Sequence, residues 1–271
     1  MDINEVTKAV LSYKKSIQQI ATSLKIIARL MPDATANLAN IQRNIEKIKA
    51  ELANVAGSTF SSDIHEWLTR YETQMAQIEL RVQQAFGNEL ERHLLESGIS
   101  LKGHYPTLEA SIFRVEVDTT TNRFILWYGP KQEKIGSGPL SANKVASLIT
   151  KTREGLGCKL GPDEFLKFLW KAYFRIKRLS NETRAPIVDV LCELANELQP
   201  QKFRTDPRRE YYKDYTRVDF SYDLMRIQGN RSLRLHGATR ALTKRRADFL
   251  WVPQDENGKG EYFSHLEILE N

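Results

Sequence analysis

The sequence predicts an α+β protein in two parts: an N-terminal three-helix coiled-coil bundle or arm over residues 1–100, then a mixed domain over residues 101–271 with central helices and an antiparallel β-meander. Three observations lead there. Apolar residues recur at alternating intervals of three and four from Ile3 to Val55. The period drops to two beyond residue 110, and the basic charge gathers in the second part only.

The first repeat runs through Ile3, Val6, Val10, Tyr13, Ile17, Ile20, Leu24, Ile27 and Met31, and resumes at Leu38, Ile41, Ile45, Ile48, Leu52 and Val55. So narrow a stripe demands a facing helix, either from this chain or from a partner protein or second copy. Ile17, Leu24, Ile41 and Ile48 are the seam residues that would bind such a partner. Pro32 costs a helix interior about 3 kcal/mol and one hydrogen bond, which favours a break there over a single kinked rod. Gly57, Ser58 and the Ser61-Ser62 pair end the second helix, and Asp63 with Glu66 offers a capping box for a third. That helix carries a broader stripe, Ile64, Trp67, Leu68, Tyr71, Met75, Ile78, Val82, Phe86 and Leu90, to about Glu96.

Ser97 to Pro106 reads as a linker. Phe113, Val115 and Val117 then alternate with Arg114 and Glu116, and Arg123 to Tyr128 returns as the second strand of a hairpin. The glycines and prolines of residues 129–139 read as irregular chain, and Ser141 caps a helix that ends by Gly155. Pro162, Asp163 and Glu164 start the next helix, with proline at the first position and acids at the positive end of the dipole. Its residues Phe165 to Ile176 are apolar around most of the circumference, which points to a core helix. The same aromatics would otherwise serve as a base-stacking platform. A further helix spans Ala185 to Leu198. Four strands are expected after it, over Val218–Ile227, Ser232–Leu242, Asp248–Val252 and Tyr262–Ile268.

Composition removes several function classes. Hydrophobic residues make up 41% and charged residues 27%, and no apolar run approaches the roughly 20 residues of a membrane span. Two cysteines, Cys158 and Cys192, are too few for a disulfide framework, so a reducing, cytoplasmic setting is expected. The five histidines show no metal-ligand spacing, and neither a P-loop nor a GxSxG elbow is present. No cofactor is expected.

Residues 1–100 carry 11 Lys/Arg against 12 Asp/Glu, whereas residues 101–271 carry 29 against 22. The excess concentrates between Lys171 and Arg246, with 18 bases against 9 acids, and two basic segments stand out. Lys202, Arg204, Arg208 and Arg209 are interleaved with Tyr211 and Tyr212, and Lys244-Arg245-Arg246 lies at a turn. Bases among tyrosines suit phosphate neutralisation with stacking on unpaired bases. The leading expectation is a non-enzymatic subunit whose arm docks a protein partner and whose basic domain contacts a DNA or RNA backbone. One alternative is a metal-dependent phosphodiesterase using Asp219, Asp223 and Glu267, which would share a sheet; another is a protein-only adaptor. Against the metal, a two-residue turn at Gly229-Asn230 would set Asp219 opposite Arg240 and Asp223 opposite His236.

Overall fold

The computed structural model describes residues 2–180 and 183–269. The chain forms two compact units: Met1–His93 with Val117–Phe124 and Gly138–Lys144, and Leu94–Glu116 with Ile125–Ser137 and Val145–Asn271. Among the described residues no helix is long and apolar enough to cross a membrane.

In the first unit, α1 (Ile3–Leu30) starts at a capping box made by Asp2 and Glu5. It ends in a single 3₁₀ turn, Met31–Asp33, that contains Pro32. The chain reverses there, and α2 (Ala34–Leu52) begins with the Asp33 carboxylate accepting the Ala36 N–H. The seam closes within the chain. Ile20, Ile27, Leu38, Ile41, Ile45, Ile48 and Leu52 are buried in one cluster with Leu68, Tyr71 and Met75 of α3 (Thr59–Leu95), and Ile17 and Leu24 pack against it. Ile41 and Ile48, two of the expected partner-binding residues, are completely buried, because α1, α2 and α3 supply the facing surfaces to one another.

The helices are unequal in length, and this leaves an edge. The first seam positions of α1, Ile3, Val6, Val10 and Tyr13, are exposed. The flanks of the α1–α2 pair are polar. Lys49 bridges Glu46 and Glu72 at 3.0 and 2.9 Å, and the Ser16 hydroxyl, foremost, holds the Glu51 carboxyl below its usual pKa. Gln42 Oε1 and Asn44 Oδ1 are buried without a hydrogen-bond partner among the described residues. The third helix starts at Thr59, a turn before the predicted cap at Asp63, because the Phe60 ring packs against the bundle core and carries the helix back with it.

A five-stranded antiparallel sheet follows in simple order, β1 (Leu101–His104), β2 (Thr107–Ala110), β3 (Phe113–Asp118), β4 (Arg123–Tyr128) and β5 (Glu133–Pro139). The expected hairpin is β3–β4. The residues read as a linker instead pair as β1–β2, with Leu101 opposite Ala110 and His104 opposite Thr107. Only Leu108 and Ala110 of that pair are buried, too few to show a period. The glycine-rich stretch after residue 129 likewise forms β5 rather than irregular chain.

The second unit holds α4 (Ala142–Gly155) from Val145 on, α5 (Pro162–Ser180), α6 (Ile187–Glu197), the single turn α7 (Gln201–Thr205) and α8 (Arg217–Arg226). Its second sheet places β9 (Gly260–Ile268) between β6 (Ala185–Pro186) and β7 (Leu233–Gly237), with β8 (Leu250–Pro253) also paired to β9. The expected strand over 218–227 is α8. Its alternating Val218, Phe220, Tyr222 and Leu224 imitate a strand, but Thr216 and Asp219 close a capping box that starts a helix. Phe220 and Leu224 join Phe165, Leu169, Tyr173, Ile187, Val190, Leu194 and Leu266 in one core.

Truncation should separate closed seam from open edge. Ile41→Ala and Ile48→Ala should each cost the bundle about 2–5 kcal/mol, read from urea unfolding, since both leave a cavity. Val10→Ala, at an exposed position, should stay within about 0.5 kcal/mol.

Candidate functional site

The helix α5 combines a buried and a wet face. Pro162 opens it, Gly161 O accepts the Phe165 N–H at 2.9 Å, and Asp163 and Glu164 occupy the positive end. Phe165, Leu169, Ala172 and Tyr173 are fully buried. On another stripe lie Lys167, Trp170, Lys171, Phe174, Arg175 and Arg178, spaced i, i+3, i+4, i+7, i+8 and i+11, which is one face of a helix. With Leu166 on the same helix, and Asn230 and Ser232 opposite, these residues line an open cavity of about 630 Å³.

Trp170 is 36% exposed and meets Phe174 edge to face, with ring centroids 6.1 Å apart and planes at 75°. Lys171 Nζ sits 5.5 Å from the Phe168 centroid. Arg175 is neutralised, reaching Glu193 at 2.5 Å and Glu197 at 2.6 Å; the Glu193 hydrogen bond, first, raises its pKa. Lys167, Lys171 and Arg178 have no carboxylate within 4 Å among the described residues. A second cavity of about 320 Å³ shares Lys171, with Arg204 and Lys213 balanced there by Glu164, Glu197 and Asp214.

The basic segments expected from the sequence are largely committed elsewhere. Arg204 donates to Glu197 O at 2.6 Å and Gln199 O at 3.2 Å, satisfying carbonyls at the end of α6. Arg246 and Arg217 both bind Glu133, a carboxylate 9% exposed; Arg217 Nε reaches it at 2.6 Å and Arg246 Nε at 3.3 Å. Arg208 pairs with Asp206 at 2.6 Å and Arg245 with Asp248 at 3.3 Å. Lys202 Nζ lies 3.8 Å from the Tyr211 ring centroid, and Tyr212 meets Phe203 edge to face at 5.4 Å. Arg209 and Lys244 are exposed. Arg204 and Arg246 line different cavities, so the two segments do not build one site through them.

The proposed carboxylate trio does not assemble on a sheet. Asp219 accepts the Gly157 N–H at 3.0 Å, as well as the Thr216 N–H at 2.8 Å. Asp223, fully buried, accepts from the Cys158 N–H at 2.8 Å and the Tyr215 hydroxyl at 3.0 Å, and Arg226 binds its other oxygen at 2.8 Å. Gly157 has φ +75°, and a Cβ there would lie 2.5 Å from Asp223 Oδ1, so glycine is required. Glu267 is on β9, hydrogen-bonded to His236 at 3.0 Å. The expected cross-strand partners Arg240 and His236 do not face Asp219 and Asp223, because α8 is a helix. Among the described residues no group of three His, Cys, Asp or Glu converges for a metal.

No model of a known protein family matches the chain, and neither a curated protein nor a solved structure does.

Asp223→Ala should cost about 2–4 kcal/mol in urea unfolding, because it leaves two buried donors, the Cys158 N–H and the Tyr215 hydroxyl, unpaired and takes a carboxylate from Arg226. This is far more than the small loss that pairing across a strand would imply. The cysteines should also separate by chemistry. Burial, foremost, pushes the Cys158 thiol up to about 11, while Cys192 is exposed. Iodoacetamide near neutral pH should therefore alkylate Cys192 alone, by mass spectrometry, and reach Cys158 only in denaturant or as the pH approaches that value.

Proposed function

We propose that this chain is a non-enzymatic subunit whose second unit binds a nucleic-acid backbone through the outer face of α5. The observation that carries the reading is the row Lys167, Lys171 and Arg178, exposed on one helix face and outside any ion pair among the described residues. Cations outside ion pairs raise the local potential and gain most from meeting phosphates, which release counterions as they are neutralised. The basic residues outside that face, Arg209 and Lys244 among them, add to the long-range field. In the first unit, the exposed seam residues Ile3, Val6, Val10 and Tyr13 favour a protein partner at the free end of α1.

The test is a salt titration of oligonucleotide binding. Affinity should fall linearly in log–log form, with a slope near −0.9 per phosphate contact on duplex DNA and −0.7 on single strands. Replacing Lys167, Lys171 and Arg178 together by Ala should flatten that slope by about two to three. The same substitutions should leave the fold unchanged, since none of the three holds a structural carboxylate. Absence of binding to either form at low salt would leave a protein-only adaptor.

A further inference from the structure

Resting on that backbone-binding reading, we propose that the α5 cavity binds unpaired nucleotides, with a base stacked on Trp170 and the flanking phosphates at Lys167, Lys171 and Arg178. A duplex keeps its base faces inside the stack, where a side chain in a concave site cannot reach them. An exposed indole within a cavity of about 630 Å³ therefore adds nothing to duplex binding. It fits a single splayed base, for which such a volume is ample.

The spacing agrees. Lys167 and Lys171 are separated by roughly 6 Å along the helix axis, and Lys171 and Arg178 by roughly 10 Å. Trp170 and Phe174 lie between them on the same stripe, so phosphate sites alternate with ring surface as phosphates alternate with bases along one strand. The edge-to-face geometry of the two rings leaves at least one of them with both faces uncovered by the other. On the far wall, Asn230 Oδ1 accepts the Ser232 N–H at 2.9 Å, which leaves the amide NH₂ to donate to a base edge. An acidic peptide would meet the same cations, but its carboxylates lack the flat ring that the exposed indole accommodates.

The experiment compares three fluorescein-labelled probes with the full chain: a short oligothymidylate, an abasic strand of equal length, and a hairpin duplex. Oligothymidylate should bind about tenfold more tightly than the abasic strand, which keeps the phosphates and lacks the bases. Trp170→Ala should lower oligothymidylate affinity to the abasic level, whereas Trp170→Phe should retain most of it. Quenching of tryptophan fluorescence by oligothymidylate should disappear in Trp170→Phe, a readout that survives should the alanine variant not fold. Equal affinity for oligothymidylate and the abasic strand, or quenching unchanged in Trp170→Phe, overturns the stacking site and leaves the backbone reading standing. Binding of none of the probes overturns both. Displacement of oligothymidylate by polyglutamate at lower concentration than by unlabelled strand overturns the ligand class in favour of an acidic protein.

Discussion

The buried carboxylate of Asp223 holds the second unit together. It lies at the inner face of α8, accepts the Cys158 amide and the Tyr215 hydroxyl, and receives the Arg226 guanidinium. Each partner comes from a different stretch of chain, so one charge ties α8 to the loop between α4 and α5 and to the segment before α8. Burial, foremost, pushes the Tyr215 phenol far above its ordinary range, and the phenol stays a donor. The loop can approach only because residue 157 has no side chain. Since α5 starts just beyond this loop, the placement of its wet face follows from the same contact. Arg226 continues the link by donating to Leu160 O at 2.8 Å.

Electrostatics sorts the basic residues into two populations. Arg175, Arg204, Arg217, Arg226 and Arg246 face carboxylates or helix-end carbonyls, and the Glu133, Glu197 and Asp223 carboxylates are buried, where losing the cation would strand the acid. A guanidinium suits such places because its planar fork serves two acceptors at once. Lys167, Lys171 and Arg178 are exposed and make no ion pair among the described residues, and charge of that kind does little for folding. What remains for it is interaction with something outside the chain. Part of the basic charge seen along the sequence is thus spent on internal ion pairs, and the stripe on α5 belongs to the part that is not.

In the helical unit a different constraint rules. A seam repeating at three and four must be covered by a facing surface, and α3 adds Leu68, Tyr71 and Met75 to what α1 and α2 bury between them. Trp67 and Tyr71 stack at 4.7 Å, and the Tyr71 hydroxyl donates to Met31 Sδ beside the Pro32 turn. That turn is where the chain reverses, and the apolar phase runs across it unbroken. Phase continuity therefore does not distinguish a rod from a hairpin, because both keep the same stripe facing inward.

Local pattern alone determined the long elements: the three N-terminal helices, the break at Pro32, the β3–β4 hairpin, and the start of α5 at Pro162. In each, period or capping chemistry acts within a few residues, so no distant contact is required to decide the outcome. The stripe Lys167, Trp170, Lys171, Phe174, Arg175 and Arg178 was also written in the spacing, but it was masked by the buried aromatics on the same helix. Only tertiary burial separates Tyr173, fully enclosed, from Trp170, which keeps 36% of its surface exposed. Likewise the T-x-x-D box at Thr216–Asp219 was present, yet Val218, Phe220, Tyr222 and Leu224 alternate as a strand would, and the competition was settled by the core that takes up Phe220 and Leu224. The fate of Arg246 was not legible at all. Its acceptor, Glu133, lies 113 positions away, and an ion pair between such distant residues exists only once the chain has folded.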